Sequence, residues 1–185
     1  PPQQVDLSAL QTLTLKSPPS YSTRFLQLLN TPSLVELDID FFATGGNLTE
    51  EFSSCIVSIS QKCTPGLQKL RLRTARVGSQ ILAEMLHDLP FLTHLTLEAV
   101  RFDMKGPTFL EILRGFSPPP LQHIEELRLL GTPTYFKTSD AVDYIAWLNS
   151  IRNKEREAAE VSSMRHYTSV PNHIPSRASL EITVD

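Results

Sequence analysis

Leu67-Gln68-Lys69-Leu70-Arg71-Leu72 and, 25 residues further on, Leu92-Thr93-His94-Leu95-Thr96-Leu97 share one arrangement of three leucines. The second and third stand two apart, so in an extended chain they point to one face, and the residues flanking them point to the other. Outward from this pair the arrangement L-x-x-L-x-L recurs at Leu34/Leu37/Ile39, Leu10/Leu13/Leu15 and Ile124/Leu127/Leu129, with successive starts 24, 33, 25 and 32 residues apart. Every key position of the five copies is aliphatic, which marks an internal repeat of short strands. A weaker sixth copy is read at Leu180/Ile182/Val184, with Arg177 where its first leucine would stand.

Between the copies the spacing becomes helical. Phe25, Leu26, Leu28 and Leu29 form one apolar set, and Phe52, Ile56 and Ile59 another, behind the acidic start Glu50-Glu51. Ile81, Leu82, Met85, Leu86 and Leu89 form a third, and Phe109, Leu110, Ile112, Leu113 and Phe116 a fourth. A fifth helix is expected to begin at the N-cap residues Ser139-Asp140, to bury Val142, Ile145, Ala146, Leu148 and Ile151, and to continue through the mixed-charge stretch Arg152 to Glu160. Pro32, Pro65, Pro90 and Pro118-Pro119-Pro120 follow helices and precede strand motifs, where proline stops a helix and favours an extended approach. A strand–helix unit cannot bury its apolar face alone, but stacked units form a continuous core.

The repeat resembles the leucine-rich repeats of the ribonuclease-inhibitor-like class. Phrases such as Thr31-Pro-Ser-Leu-Val-Glu-Leu-Asp-Ile39 and Leu89-Pro-Phe-Leu-Thr-His-Leu-Thr-Leu97 are similar to the repeat regions of fungal F-box-type proteins. The resemblance implies an α/β fold: a leucine-rich-repeat solenoid, a right-handed α/β horseshoe arc with a parallel concave sheet and convex helices. About five repeats would occupy residues 1–160, and 161–185 would hold a polar loop, marked by Pro171 and Pro175, and the weak sixth strand. In one respect the chain departs from the family. An asparagine or cysteine is expected three positions after the third leucine, where this sequence has Pro18, Phe42, Ala75, Val100 and Thr132. Without that polar ladder the turns are expected to be less regular.

Strand alternation exposes Thr12/Thr14/Lys16, Glu36/Asp38/Asp40, Lys69/Arg71/Arg73, His94/Thr96/Glu98 and Glu126/Arg128/Leu130. In-register parallel strands lie about 4.8 Å apart, which would set Glu36 against Lys69, Asp38 against Arg71 and Asp40 against Arg73. Arg73 would also meet Glu98, and His94 would meet Glu126. The expected partner-binding residues are therefore Glu36, Asp38, Asp40, Lys69, Arg71, Arg73, His94, Thr96, Glu98, Glu126 and Arg128. The same ladder can equally be a self-neutralising device that keeps exposed strands soluble.

Other chemistry finds little support. The three carboxylates Glu36, Asp38 and Asp40 could gather a hard cation, but three basic neighbours oppose it, so no metal is expected. His87, His94, His123, His166 and His173 lack ligand spacing, and His87 reads as a solvated or capping residue. There is no phosphate-binding glycine loop and no nucleophile elbow, so neither a cofactor nor an enzyme activity is expected. Trp147 reads as a packing residue of the fifth helix. The net charge of −3 gives no electrostatic basis for nucleic acid, and no apolar run of about 18 residues is present to span a membrane.

Cys55 and Cys63 stand eight residues apart on one expected helix, about 12 Å between Cα atoms, too far for a disulfide. Free buried thiols suit an intracellular setting. The start Pro1-Pro2-Gln3-Gln4 reads as trimmed, with a region expected upstream. The implied function is a protein-interaction scaffold, either the substrate-recognition segment of an F-box-type ubiquitin-ligase adaptor or a regulator acting directly through its concave face. The partner would be a protein or peptide, with a ligase core docking through the upstream region.

Overall fold

Each aliphatic triplet can hide only one side of its strand, and in the computed structural model the strands solve this by pairing with one another. The structure describes residues 4–18, 22–42, 47–102, 106–133, 136–163 and 179–184, with side chains as far as residue 158. The five triplets lie on strands β2 (Thr12–Lys16), β4 (Glu36–Asp40), β6 (Lys69–Arg73), β8 (His94–Glu98) and β10 (Glu126–Thr132). Together with β11 (Ser179–Val184) they form one parallel six-stranded sheet in the order β11-β10-β8-β6-β4-β2. Leu13, Leu37, Leu70, Leu95 and Leu127 are register partners across the sheet, as are Leu15, Ile39, Leu72, Leu97 and Leu129. On the far side Leu180 and Ile182 of β11 stand opposite Leu127 and Leu129.

Smaller elements complete each unit. β1 (Val5–Asp6) pairs with β3 (Leu29–Asn30), and β5 (Asn47–Leu48), β7 (Arg76–Val77) and β9 (Arg101–Phe102) form a second parallel sheet. The helices are α1 (Ser22–Leu28), α2 (Glu50–Lys62), α3 (Ser79–His87), α4 (Phe109–Leu113) and α5 (Thr138–Ser163), and each packs on the next in chain order. Their starts follow from capping chemistry. The Thr49 hydroxyl accepts the Phe52 amide at 3.3 Å, and Thr108 with Glu111 forms a reciprocal capping box. The result is a mixed α/β fold of parallel sheets and helices. No helix among the described residues is long and apolar enough to cross a membrane.

The core runs along the inner side of the large sheet. All triplet residues from Leu34 to Leu129 are at most 1% exposed, whereas Leu10, Leu13 and Leu15 are only partly buried, because β2 is an edge strand. Backbone hydrogen bonds repeat as faithfully as the leucines. The carbonyls of Gln11, Val35, Gln68 and Thr93 each accept two consecutive amides of the next unit, at 2.7–3.1 Å.

The turns after the strands are more regular than the missing asparagine ladder suggested. Ser17, Thr74, Ala99 and Gly131 occupy the same position and share a left-handed backbone, with φ of 51°, 55°, 51° and 58°. The residues after them, Pro18, Ala75, Val100 and Thr132, turn inward and are buried. The amides of Ser17, Thr74 and Ala99 donate to Asp40, Glu98 and Leu130. Main-chain bonding and small apolar burial thus replace the expected side-chain ladder.

Several helix boundaries differ from expectation. Leu29 lies in β3 rather than in α1, Leu89 and Phe116 fall beyond the ends of α3 and α4, and Phe25 is exposed. α5 begins at Thr138, so Ser139 and Asp140 occupy its first turn instead of capping it. Its buried stripe is Ala141, Tyr144, Ile145, Leu148 and Arg152, spaced by three and four, which leaves Val142 and Ala146 in solvent. It also runs to Ser163, three residues into the stretch read as a loop; residues 164–178 of that stretch lie outside the described residues. His87 neither caps α3 nor stands in water; its ring stacks on Phe116 at 4.4 Å. Trp147 packs 5.4 Å from Tyr144.

Both cysteines are free and buried, with their sulfurs 3.6 Å from the Thr23 carbonyl and 3.2 Å from that of Thr31. Burial pushes the Cys55 thiol up to about 11 and moves Cys63 the same way. A disulfide reagent at about pH 8 is therefore expected to leave the native protein unlabelled and to release both thiols in urea. Because the folded thiols resist ionisation, their share of the stability is present below about pH 9, the unfolded value. It is lost as pH rises from there toward about 11.

Candidate binding face

The side chains between the inward leucines form the open side of the large sheet. Thr12, Thr14, Lys16, Lys69, Arg71 and Arg128 are exposed there, and Glu36, Asp38, Asp40, Arg73, His94, Thr96, Glu98 and Glu126 are partly so. The register sets Glu36 beside Lys69, Asp38 beside Arg71, Asp40 beside Arg73, Arg73 beside Glu98 and Glu126 beside His94. All the expected site residues are therefore brought to one surface.

The bonds they make are not the ones that register alone suggests. Arg73 forks onto Asp38, with Nε and NH2 at 3.1 and 3.0 Å from the two carboxylate oxygens, and also reaches Asp40 at 3.7 Å. Arg71 leans forward to Glu98 instead of Asp38, with Nε 3.2 Å from the carboxylate, a hydrogen bond that raises the guanidinium pKa. Arg73 consequently does not meet Glu98, and Glu36 and Lys69 form no ion pair. Glu126 is engaged by Arg128 on its own strand at 2.8 Å. His94 turns the other way, its Nδ1 lying 2.8 Å from the Thr93 hydroxyl. Long side chains lean along the strand, so diagonal partners come within reach and a planar guanidinium takes the one it can fork onto.

The face is electrically balanced. Lys16, Lys69, Arg71, Arg73 and Arg128 oppose Glu36, Asp38, Asp40, Glu98 and Glu126, five charges of each sign. Its best-knit part is the Asp38–Arg73–Asp40 group, where Asp40 also accepts from the Thr74 hydroxyl at 3.3 Å and the Phe42 amide at 3.1 Å. Such a surface has no net field to gather a polyanion, but it presents fixed donors and acceptors in rows about 4.8 Å apart.

A concavity lies at the N-terminal ends of α2 and α3. This open cleft of about 770 Å³ is lined by Asn47, Thr49, Glu50, Glu51, Arg76 and Ile81 among others. Glu50 and Glu51 belong to the first turn of α2, where the helix dipole favours carboxylates, and among the described residues no histidine, cysteine or serine lines the space. Among the described residues no three His, Cys, Asp or Glu side chains are placed to hold a metal ion.

Among the described residues the most exposed large hydrophobic one, Phe42 at 77%, borders the face, and sequence reasoning did not find it. No protein-family model, curated protein or solved structure matches the chain.

Proposed function

We propose that the chain is an arc of a leucine-rich-repeat solenoid, with the large sheet on its concave side, and that this sheet face binds another protein or a peptide. The observation that carries the reading is the register: five triplets, 24 to 33 residues apart in sequence, become adjacent rungs, so that fourteen polar residues share one face. Extended faces of stacked repeats commonly serve as binding surfaces, an analogy between folds. The style of the repeat phrases favours a substrate-recruiting segment of an F-box-type ubiquitin-ligase adaptor. A separate helical box would then dock the ligase core. The alternative is an intracellular regulator, an enzyme inhibitor or GTPase-activating repeat protein, acting through the same face.

Affinity capture from an intracellular extract tests the role of the face. Glu36→Lys and Arg71→Glu are expected to weaken capture of the bound protein at least about tenfold, a change of about 1.4 kcal/mol, while the urea midpoint stays nearly constant. Recovery of the ligase core supports the adaptor role; recovery of a single stoichiometric enzyme or GTPase supports the regulator. Capture unaffected by both substitutions would count against the face.

A further inference from the structure

The second unit breaks the turn rule that the other four obey. In those four, a left-handed residue two places after the third aliphatic swings the following residue into the core. The second unit has Phe41 at that place, and a bulky aromatic side chain resists positive φ. Phe41 stays out of the left-handed region, its amide donates to the Arg73 carbonyl at 2.9 Å, and its ring is buried edge-on against Phe52 at 5.4 Å. The chain then leaves the strand, and Phe42, the first residue of the turn, is exposed directly after the polar row Glu36, Asp38 and Asp40. Its amide is held by Asp40 Oδ1.

Packing gives no reason for that exposure. Phe91, which is 51% exposed, covers Gly66, where an added Cβ would come within 2.7 Å of the Phe91 ring. Phe25 and Val142 belong to helices. Phe42 stands at the end of the polar face beside charges that differ in how they are satisfied. Asp38 and Asp40 are engaged by Arg73, Thr74 and the Phe42 amide. Lys16, directly across from Asp40 on β2, has no ion partner within 4 Å among the described residues. Aromatic rings are enriched at protein interfaces, and Lys16 on the neighbouring strand leaves a positive charge for a partner to match.

We propose that Phe42 is the apolar anchor of the partner site, and that the partner is a protein segment laying large apolar side chains on Phe42 and a carboxylate beside Lys16. This rests on the proposed binding role of the sheet face.

The test is a selection of phage-displayed random dodecapeptides on the immobilised chain. Enriched peptides are expected to carry Trp, Phe, Leu or Met within about four residues of Asp or Glu, one helical turn. Their binding should fall about tenfold on Phe42→Ser and about threefold on Lys16→Glu, substitutions at exposed positions that leave the urea midpoint unchanged. Peptides that bind Phe42→Ser as tightly as the parent chain overturn the anchor. If those peptides are still lost on Arg71→Glu, the face reading stands without it. Peptides indifferent to all three substitutions, or no enrichment at all, remove both.

Discussion

Leu95→Ala is expected to lower the unfolding free energy by about 3 kcal/mol, while Leu13→Ala, at the same place in its repeat, lowers it by about 1 kcal/mol. Leu95 is fully buried on β8, with Leu70 and Leu127 as register partners on either side. Those neighbours cannot close over the void. The carbonyls of Gln68 and Thr93 each hold two amides of the following unit, which fixes the spacing between rungs. The lost methyl groups therefore leave a cavity as well as a transfer penalty. Leu13 sits on the edge strand, partly exposed and with a neighbouring rung on one side only, so its site can relax and water already reaches it. For a chain of this size, 3 kcal/mol corresponds to a fall of roughly 6–12 °C in Tm. Urea unfolding monitored by circular dichroism decides the matter, with the midpoint shifting and the slope unchanged. Equal losses at the two positions would mean that the strands do not share one core.

The difference between these two leucines marks where sequence reasoning was strong. A period of two inside each triplet and an aliphatic residue at every key position left few alternatives, so the strands, their parallel order and their register could all be read from the chain. The outward residues followed from the same alternation. What could not be read depends on side-chain reach and backbone strain. Register placed Asp38 beside Arg71, but a guanidinium leans and forks, and Asp38 went to Arg73. The left-handed turn residues Ser17, Thr74, Ala99 and Gly131 share no side-chain type, so no motif announced them. Yet one physical clue was present. Four of the five residues at that turn position are small or polar and one is a phenylalanine, and that exception is where Phe42 emerges. In α5 the apolar letters suggested a stripe through Val142 and Ala146, whereas the packed stripe ends on a charged residue, Arg152.

Arg152→Ala should destabilise the protein by about 3 kcal/mol, and Arg152→Lys by about half of that. Arg152 opens the mixed-charge stretch that continues the fifth helix, yet it is 8% exposed and faces the loop leading into β10. Its Nε donates to the Gln122 carbonyl at 2.9 Å, and its NH2 donates to the Ile124 carbonyl at 2.7 Å and, at 3.5 Å, to that of Leu121. Burial pulls the guanidinium below its ordinary pKa, and these bonds, together with the nearby charges of Glu125 and Glu155, offset that cost. The loop has need of them. Leu121 is left-handed, with φ of 58°, and the Pro118-Pro119-Pro120 run before it offers no amide hydrogen to support a local turn. Removing the guanidinium strands carbonyls in the interior, while an ammonium, being a compact point charge, can satisfy some of them but not the fork. Because this loop sets the start of β10, and β10 carries Glu126 and Arg128, Arg152→Ala should also weaken partner capture, if the proposed face binds, although Arg152 is absent from that face. Tyr144→Phe, which removes only the hydroxyl bond to the Pro120 carbonyl at 3.1 Å, should cost about 1 kcal/mol and serves as the comparison. A loss below about 1 kcal/mol for Arg152→Ala would mean that water reaches those carbonyls and that α5 does not hold the last rungs in place.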